Sequence, residues 1–223
     1  MQKVSQKMKQ LLFGRQILFL SGLLSFCSSG VCQDSAYLVK PGIHPVKVIP
    51  FAARYQYPKF QTGFLYFSTG EKSDEFLLNY NLFAQQIQLI NSDGDTVGVD
   101  NKASIVEFVQ IQSDFYFRDL RQGYFLILTN EEPLKLLKRT IWNELVFPNG
   151  ASSFQKKHDF FLLVPRPNRV YPADKSSLSK IFPNSRKVIK EYLAEHNIDF
   201  NSESDLKQII TFCNTLAMDE YHK

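Results

Sequence analysis

Four histidines, three cysteines and 22 carboxylates are the side chains with which this chain would do acid–base, nucleophilic or metal chemistry. Each chemistry requires a spacing. A catalytic zinc site asks for H-E-x-x-H or paired cysteines, and His44, His158, His196 and His222 supply neither that motif nor a pair at helical spacing. His158 stands beside Asp159, but neighbours in an extended segment point to opposite faces, so the two do not make a dyad. "GASSF" (150–154) places Ser152 and Ser153 after one glycine, short of a G-x-S-x-G elbow, and reads as a loop. "NSDGDT" (91–96) offers Asp93 and Asp95 as calcium-type oxygens. The twelfth position of a frame started at Asn91 is Lys102 where a calcium loop needs Glu, so a glycine-bearing hairpin turn is the better reading. No glycine-rich phosphate loop follows a strand, and 22 acids make coincidental carboxylate pairs inevitable, so none can be nominated. The expectation is no catalytic residue, no metal ligand and no cofactor.

Charge is more informative than chemistry. Residues 156–190 hold nine basic residues, Lys156, Lys157, Arg166, Arg169, Lys175, Lys180, Arg186, Lys187 and Lys190, against Asp159 and Asp174. Residues 191–223 reverse the balance, with seven acids against Lys207 and Lys223. Two helices packed with complementary charged rims would account for the split. The functional alternative is a basic face, with Arg166, Arg169, Arg186, Lys187 and Lys190 as its binding residues, for anionic lipid headgroups, polysaccharide or an acidic envelope protein.

The first 32 residues decide the compartment. Lys3, Lys7, Lys9 and Arg15 come first with no acid, then an apolar run from Ile17 to Phe26, then small and polar residues up to Cys32, which is the plan of a secretory signal peptide. Ser21, Gly22 and Ser25 break the run before it reaches the roughly 20 residues of a membrane span. Gly30 and Cys32 place cleavage between Cys32 and Gln33, and Phe26 before Cys27 and Val31 before Cys32 argue against lipidation. Removing the leader takes Cys27 and Cys32 with it, leaving Cys213 alone and excluding an intrachain disulfide. The leader also holds four of the 26 basic residues, and the remaining 22 balance the 22 acids. Bulk-charge binding of nucleic acid loses its basis.

The elements that must position any site fall into two groups. Residues 33–165 read as an antiparallel β domain, with runs at 60–68, 75–81, 86–90, 96–100, 104–112, 114–118 and 123–129 separated by Thr69-Gly70, Ser92-Asp93-Gly94, Ser113-Asp114 and Gln122-Gly123. Connections so short favour sequential hairpins. "PLKLLKRTI" (133–141) fits a strand or a helix, and the surrounding meander selects the strand. "DFFLLVP" (159–165) reads as a last strand, and the stretch from Trp142 to His158 as a long loop. The aromatics of "FLYF", "NYNLF" and "DFYF" suit cross-strand pairs and core filling.

Residues 166–223 read as a helical unit docked on that domain: a short helix stopped by Pro183, a second with Val188, Ile189, Tyr192 and Leu193 on one face and Asn197 closing it, and a third. Ser202 and Asp205 cap the third, whose apolar stripe is Leu206, Ile209, Ile210, Cys213 and Leu216, with Cys213 as an inert buried thiol. The expected fold is α+β, an antiparallel meander forming an open roll or small barrel, followed by about three helices.

The succession "YPKFQTGFLYFSTG", "LLNYNLFAQQIQLINSDGDTV", "VEFVQIQSDFYF" and "GYFLIL", with the tail "LSKIFPNSRKVIKEYLAEHNIDFNSESDLKQIITFCN", resembles a group of uncharacterised exported proteins of Bacteroidota-type Gram-negative bacteria. The likeness spans most of residues 57–216, and its landmarks are Gly63 to Tyr66, Asn79-Tyr80-Asn81 and Gly94-Asp95-Thr96. It implies a periplasmic or outer-membrane-associated protein and carries over no activity.

These readings converge on a non-enzymatic envelope module that binds another envelope protein or an anionic envelope component. Two alternatives stand beside it: a barrel-like binder of a small apolar or lipidic ligand, and a hydrolase using dispersed carboxylates.

Overall fold

The computed structural model describes residues 36–99, 105–166 and 168–221. Residues 1–35, on which the expected leader and Cys27 and Cys32 fall, lie outside them. The chain runs β1 (Tyr37–Val39), a single turn of 3-10 helix (Pro45–Lys47), α1 (Phe51–Arg54), β2 (Gln61–Phe67), β3 (Phe76–Asn81), β4 (Gln86–Ile90), β5 (Thr96–Gly98), β6 (Val106–Ile111), β7 (Asp114–Asp119), β8 (Gly123–Ile127), β9 (Lys135–Val146), β10 (Ser152–Val164) and β11 (Arg169–Pro172). Three helices close it: α2 (Lys175–Ile181), α3 (Arg186–Glu195) and α4 (Glu203–Tyr221). All strand pairs are antiparallel, in one open sheet ordered β1-β10-β9-β8-β7-β6-β2-β3-β4-β5, with β11 also paired to β10. The α+β class and the antiparallel sheet followed by helices are as the sequence implies.

Hairpins account for β2-β3-β4-β5 and for β6-β7-β8-β9-β10, where Gly94 and Gly123 take the left-handed φ of +84° and +89° that their turns demand. The expectation of purely sequential hairpins needs one correction: β6 returns to pair with β2. The physical reason is burial, since this register puts Val106 and Val109 into one cluster with Leu65, Leu78, Ile87 and Val99. A second correction concerns the stretch from Trp142 to His158. It is the distal half of a long hairpin, β9 pairing with β10 from Lys135–Leu163 to Val146–Ser152 around a turn at Pro148-Asn149-Gly150. Its polar residues hid it, because that end of the hairpin reaches beyond the core and is exposed from Asn143 to Val146. Nor is β10 the final strand, as β11 adds to its edge over Phe161–Val164.

The central strands are buried on both faces, and alternate residues show it. Tyr116, Tyr124 and Val109 face one cluster, while Phe117, Phe125, Leu137 and Leu163 face another. The helices cover β9 and β10 on the face of Leu134, Leu136 and Leu162, burying Leu178, Ile189, Leu193, Leu206, Ile209, Ile210 and Cys213. Local chemistry marks several of the helix ends. Asp174 Oδ1 accepts from Ser177 N at 2.7 Å to start α2, and Pro183 follows its end. Asn197 leaves α3 at φ +49°. Ser202 Oγ and Asp205 bond each other reciprocally to open α4. Val188 departs from expectation at 45 % exposed: the buried stripe of α3 is Ile189 and Leu193, and Val188 lies one position round the helix from it. The described residues belong to one compact unit. Among them, no helix is long and apolar enough to cross a membrane.

Candidate functional site

Most residues capable of chemistry are engaged in structure. His158 Nδ1 lies 2.9 Å from Thr140 Oγ1, while Asp159, on the opposite face, bridges Lys157 at 2.8 Å and Arg139 at 3.8 Å. Ser152 and Ser153 belong to β10. Asn91 Oδ1 accepts the amides of Asp93 and Asp95, so "NSDGDT" is a side-chain-closed hairpin turn. Burial in apolar surroundings pushes the Cys213 thiol up to about 12, the opposite of what a nucleophile needs.

Inside the roll a polar chain crosses the apolar core. Tyr57 Oη donates to Asp114 Oδ2 at 2.5 Å and lies 3.0 Å from Tyr116 Oη. Tyr80 Oη donates to Gln85 Oε1, and Gln85 Nε2 donates to the Thr140 carbonyl, tying the β3–β4 turn to β9. Asn79, fully buried, accepts from Tyr57 N and Tyr80 N and donates to the carbonyls of Tyr57 and Lys59. Burial raises the phenols of Tyr57, Tyr80 and Tyr116 above their usual value, with Asp114 adding to the effect at Tyr57. Groups moved away from neutrality are poor acids and bases at neutral pH. Their part is to satisfy one another while fixing how the sheet curls.

A cleft of about 640 Å³ opens between the β6–β7–β8 end and the β10–β11 turn. Arg118, Asp119, Leu120, Arg121 and Gln122 form one side of it, Asn168, Arg169 and Val170 belong to the β10–β11 side, and Phe117 and Val106 are apolar lining. Two local features shape it. The register of β2 on β6 slips between Tyr66 and Phe67, a bulge opposite Val106 and Glu107 of the kind that re-aims side chains. Asp119 Oδ1 accepts both Arg121 N and Gln122 N at 2.8 Å, which fixes the β7–β8 turn. Arg118 lies over the Tyr124 ring, 5.8 Å from its centroid. Leu120, 70 % exposed, and Ile105, 51 % exposed, add apolar surface.

Of the five basic residues named from sequence, the fold brings Arg169 to this cleft, and Arg166 stands exposed in the adjoining turn. Arg186, Lys187 and Lys190 belong to α3. There Arg186 Nε donates to the Ser179 carbonyl at 2.8 Å and Lys187 faces Glu191 at 4.0 Å. The acids of α4 find cations elsewhere: Glu203 bonds Lys207 in its own helix at 2.7 Å and Lys138 of β9 at 3.2 Å. Sequence reading passed over Arg118 and Arg121 because they sit in and beside a tight turn, and nothing local links them to Arg169. Comparison with family models, with curated proteins and with solved structures gives no match.

Proposed function

We propose that the chain is an exported, non-enzymatic binding module of the bacterial envelope, and that its cleft receives an acidic segment of another envelope component. The observation that carries this reading is the meeting of Arg118 and Arg121, from the β7–β8 hairpin, with Arg169, from the start of β11. Arginine forks suit carboxylate and phosphate, and the exposed Leu120 and Ile105 beside them give a partner apolar surface to cover. Glu107 and Asp119 also line the cleft and favour the hydrolase alternative. Against it, one Asp119 oxygen is committed to holding the turn. The sheet is open and its interior holds Tyr80, Tyr116 and Tyr124, which weighs against a barrel-like carrier of an apolar ligand.

The test is fluorescence anisotropy of a labelled Glu-rich peptide containing one leucine, titrated with the purified chain. Arg121→Glu and Arg169→Glu should each weaken binding about tenfold, with a shallower salt dependence, and the α3 pair Lys187→Glu/Lys190→Glu should leave it unchanged. Equal weakening by both sets would reduce the effect to net charge and defeat the reading. Release of a glycosidic product that Glu107→Gln abolishes would replace it with the hydrolase.

A further inference from the structure

Among the described residues, twelve large apolar side chains are exposed, and four of them, Ile43, Val46, Val48 and Phe51, fall within nine consecutive residues. Scattered single apolar residues on a surface mean little, so contiguity is what matters. These four come from the one short segment that follows β1. Leu38 and Leu145 flank Ser153 on the opposite face of the sheet from Val39 and Phe154, and so stand apart from that segment, whereas Val146, paired with Ser152, is on the Val39 face. The hairpin turn of β9–β10 reaches the segment that follows β1, where Pro41 packs beside Gly150.

The segment from Pro41 to Arg54 is held firmly. Ile49 is buried with Val39 and Phe154, its amide donates to the Pro45 carbonyl, and the Pro50 carbonyl accepts from Ala53 and Arg54. Ile43, Val46, Val48 and Phe51 are therefore displayed from an anchored turn.

The charge of this end is one-sided. The sequence has no Asp or Glu between Asp34 and Glu71, and that interval contains Lys40, Lys47, Arg54 and Lys59. Lys40, Lys47 and Lys59 are exposed, Lys47 directly between Val46 and Val48, and Arg54 lies over the Phe51 ring at 5.7 Å. The ladder places one acid nearby, Glu144, which flanks Phe154 on the side away from Tyr37.

We propose that this end docks on the surface of an anionic lipid bilayer, with Ile43, Val46, Val48 and Phe51 entering the headgroup region and Lys40 and Lys47 pairing with lipid phosphates. Apolar tips on turns, interleaved with lysines, suit a deformable interface that offers hydrocarbon and negative charge together. Lysine stems can lie along apolar surface while their ammonium groups stay at the headgroups. This docking involves none of the cleft arginines and stands independently of the partner reading.

The test is flotation of the chain recovered from expressing cells, its N-terminus read by mass spectrometry, with phosphatidylglycerol–phosphatidylcholine vesicles and with pure phosphatidylcholine vesicles. Every variant is compared with a parent carrying the same N-terminus, so any contribution of residues 1–35 is common to both. The parent should float with the anionic vesicles and far less with the neutral ones. Val48→Ser/Phe51→Ser should reduce partitioning at least about tenfold. Lys40→Glu/Lys47→Glu should reduce it at least about 25-fold, roughly fivefold for each lysine. Arg121→Glu/Arg169→Glu should leave it unchanged, separating this docking from the cleft. A parent that does not float, or that floats equally with both vesicle types, overturns the proposal, as does flotation indifferent to both double variants. Self-association that Val48→Ser/Phe51→Ser abolishes, without vesicle binding, assigns the face to a second copy and overturns it too.

Discussion

The Asn214 side chain pairs with both backbone groups of Leu134: Nδ2 donates to the Leu134 carbonyl at 2.9 Å, and Oδ1 accepts the Leu134 amide at 3.0 Å. Both residues are buried. A carboxamide presents a donor and an acceptor in the geometry of a peptide unit, so α4 acts here like a neighbouring strand for the residue just before β9. One side chain thereby docks the longest helix and satisfies two backbone groups that water cannot reach.

Asn214→Leu should therefore cost about 2–5 kcal/mol, because it strands a buried N–H and a buried C=O together. Urea denaturation followed by circular dichroism measures this as a lowered midpoint. Thr211→Ala, one turn earlier on α4 and removing only the exposed contact to Glu131, should cost under about 0.5 kcal/mol. Equal losses for the two variants would contradict the assigned role of Asn214.

Gly63 is in β2 between β3 and β6, paired with Phe76 on one side and Ile111 on the other. A Cβ there would overlap the Gln110 carbonyl and press on Leu78 Cδ1. The obstacle is a backbone oxygen in a paired strand, which cannot swing aside as a side chain can. Gly63→Ala should destabilise by about 1–3 kcal/mol, read as a lower thermal midpoint, whereas Thr62→Ala next to it should change little.

Alkaline pH should weaken the fold. Burial raises the phenols of Tyr57, Tyr80 and Tyr116 above 10.0 and the Cys213 thiol from 9.0 to about 12. Between the unfolded and folded values the unfolded chain has lost protons that the folded chain keeps, so stability falls as pH rises. These contributions are fully present below about pH 9 and decline progressively above it. Urea midpoints taken near pH 8, 9.5 and 10.5, with the single tryptophan Trp142 stacked on Phe83 as reporter, should fall in that order. A flat series would show that these four groups are ordinary in the folded state.

Some of this architecture is legible in the residues alone because the signals are periodic or stereochemical. The strands from Gln61 to Ile127 follow their alternation and their glycine turns, and α4 follows the stripe of Leu206, Ile209, Ile210 and Cys213 behind its Ser202 cap. The long hairpin escapes because each face of its outer half mixes apolar with polar residues, Glu144 and Lys156 beside Trp142 and Phe154 on one, Asn143 and Lys157 beside Ile141 and Leu145 on the other. Asn143, Glu144, Lys156 and Lys157 resemble a loop, and the strand is held there by its ladder and by Tyr37 against Trp142. At four residues, β11 is too short to carry a pattern.

Local propensity, capping and turn chemistry act over a few residues, and so the residues alone specify the strands from Gln61 to Ile127, the three C-terminal helices and the place of Cys213 on a buried helical stripe. Packing of the whole chain sets β6 beside β2, docks α4 through Leu134, brings Arg169 to one cleft with Arg118 and Arg121, and puts Leu38 on the same face as Leu145. Those relations join residues distant in the chain. They are selected by which arrangement buries the most apolar surface with every polar group paired, a property of the whole packed molecule that no short window of sequence contains.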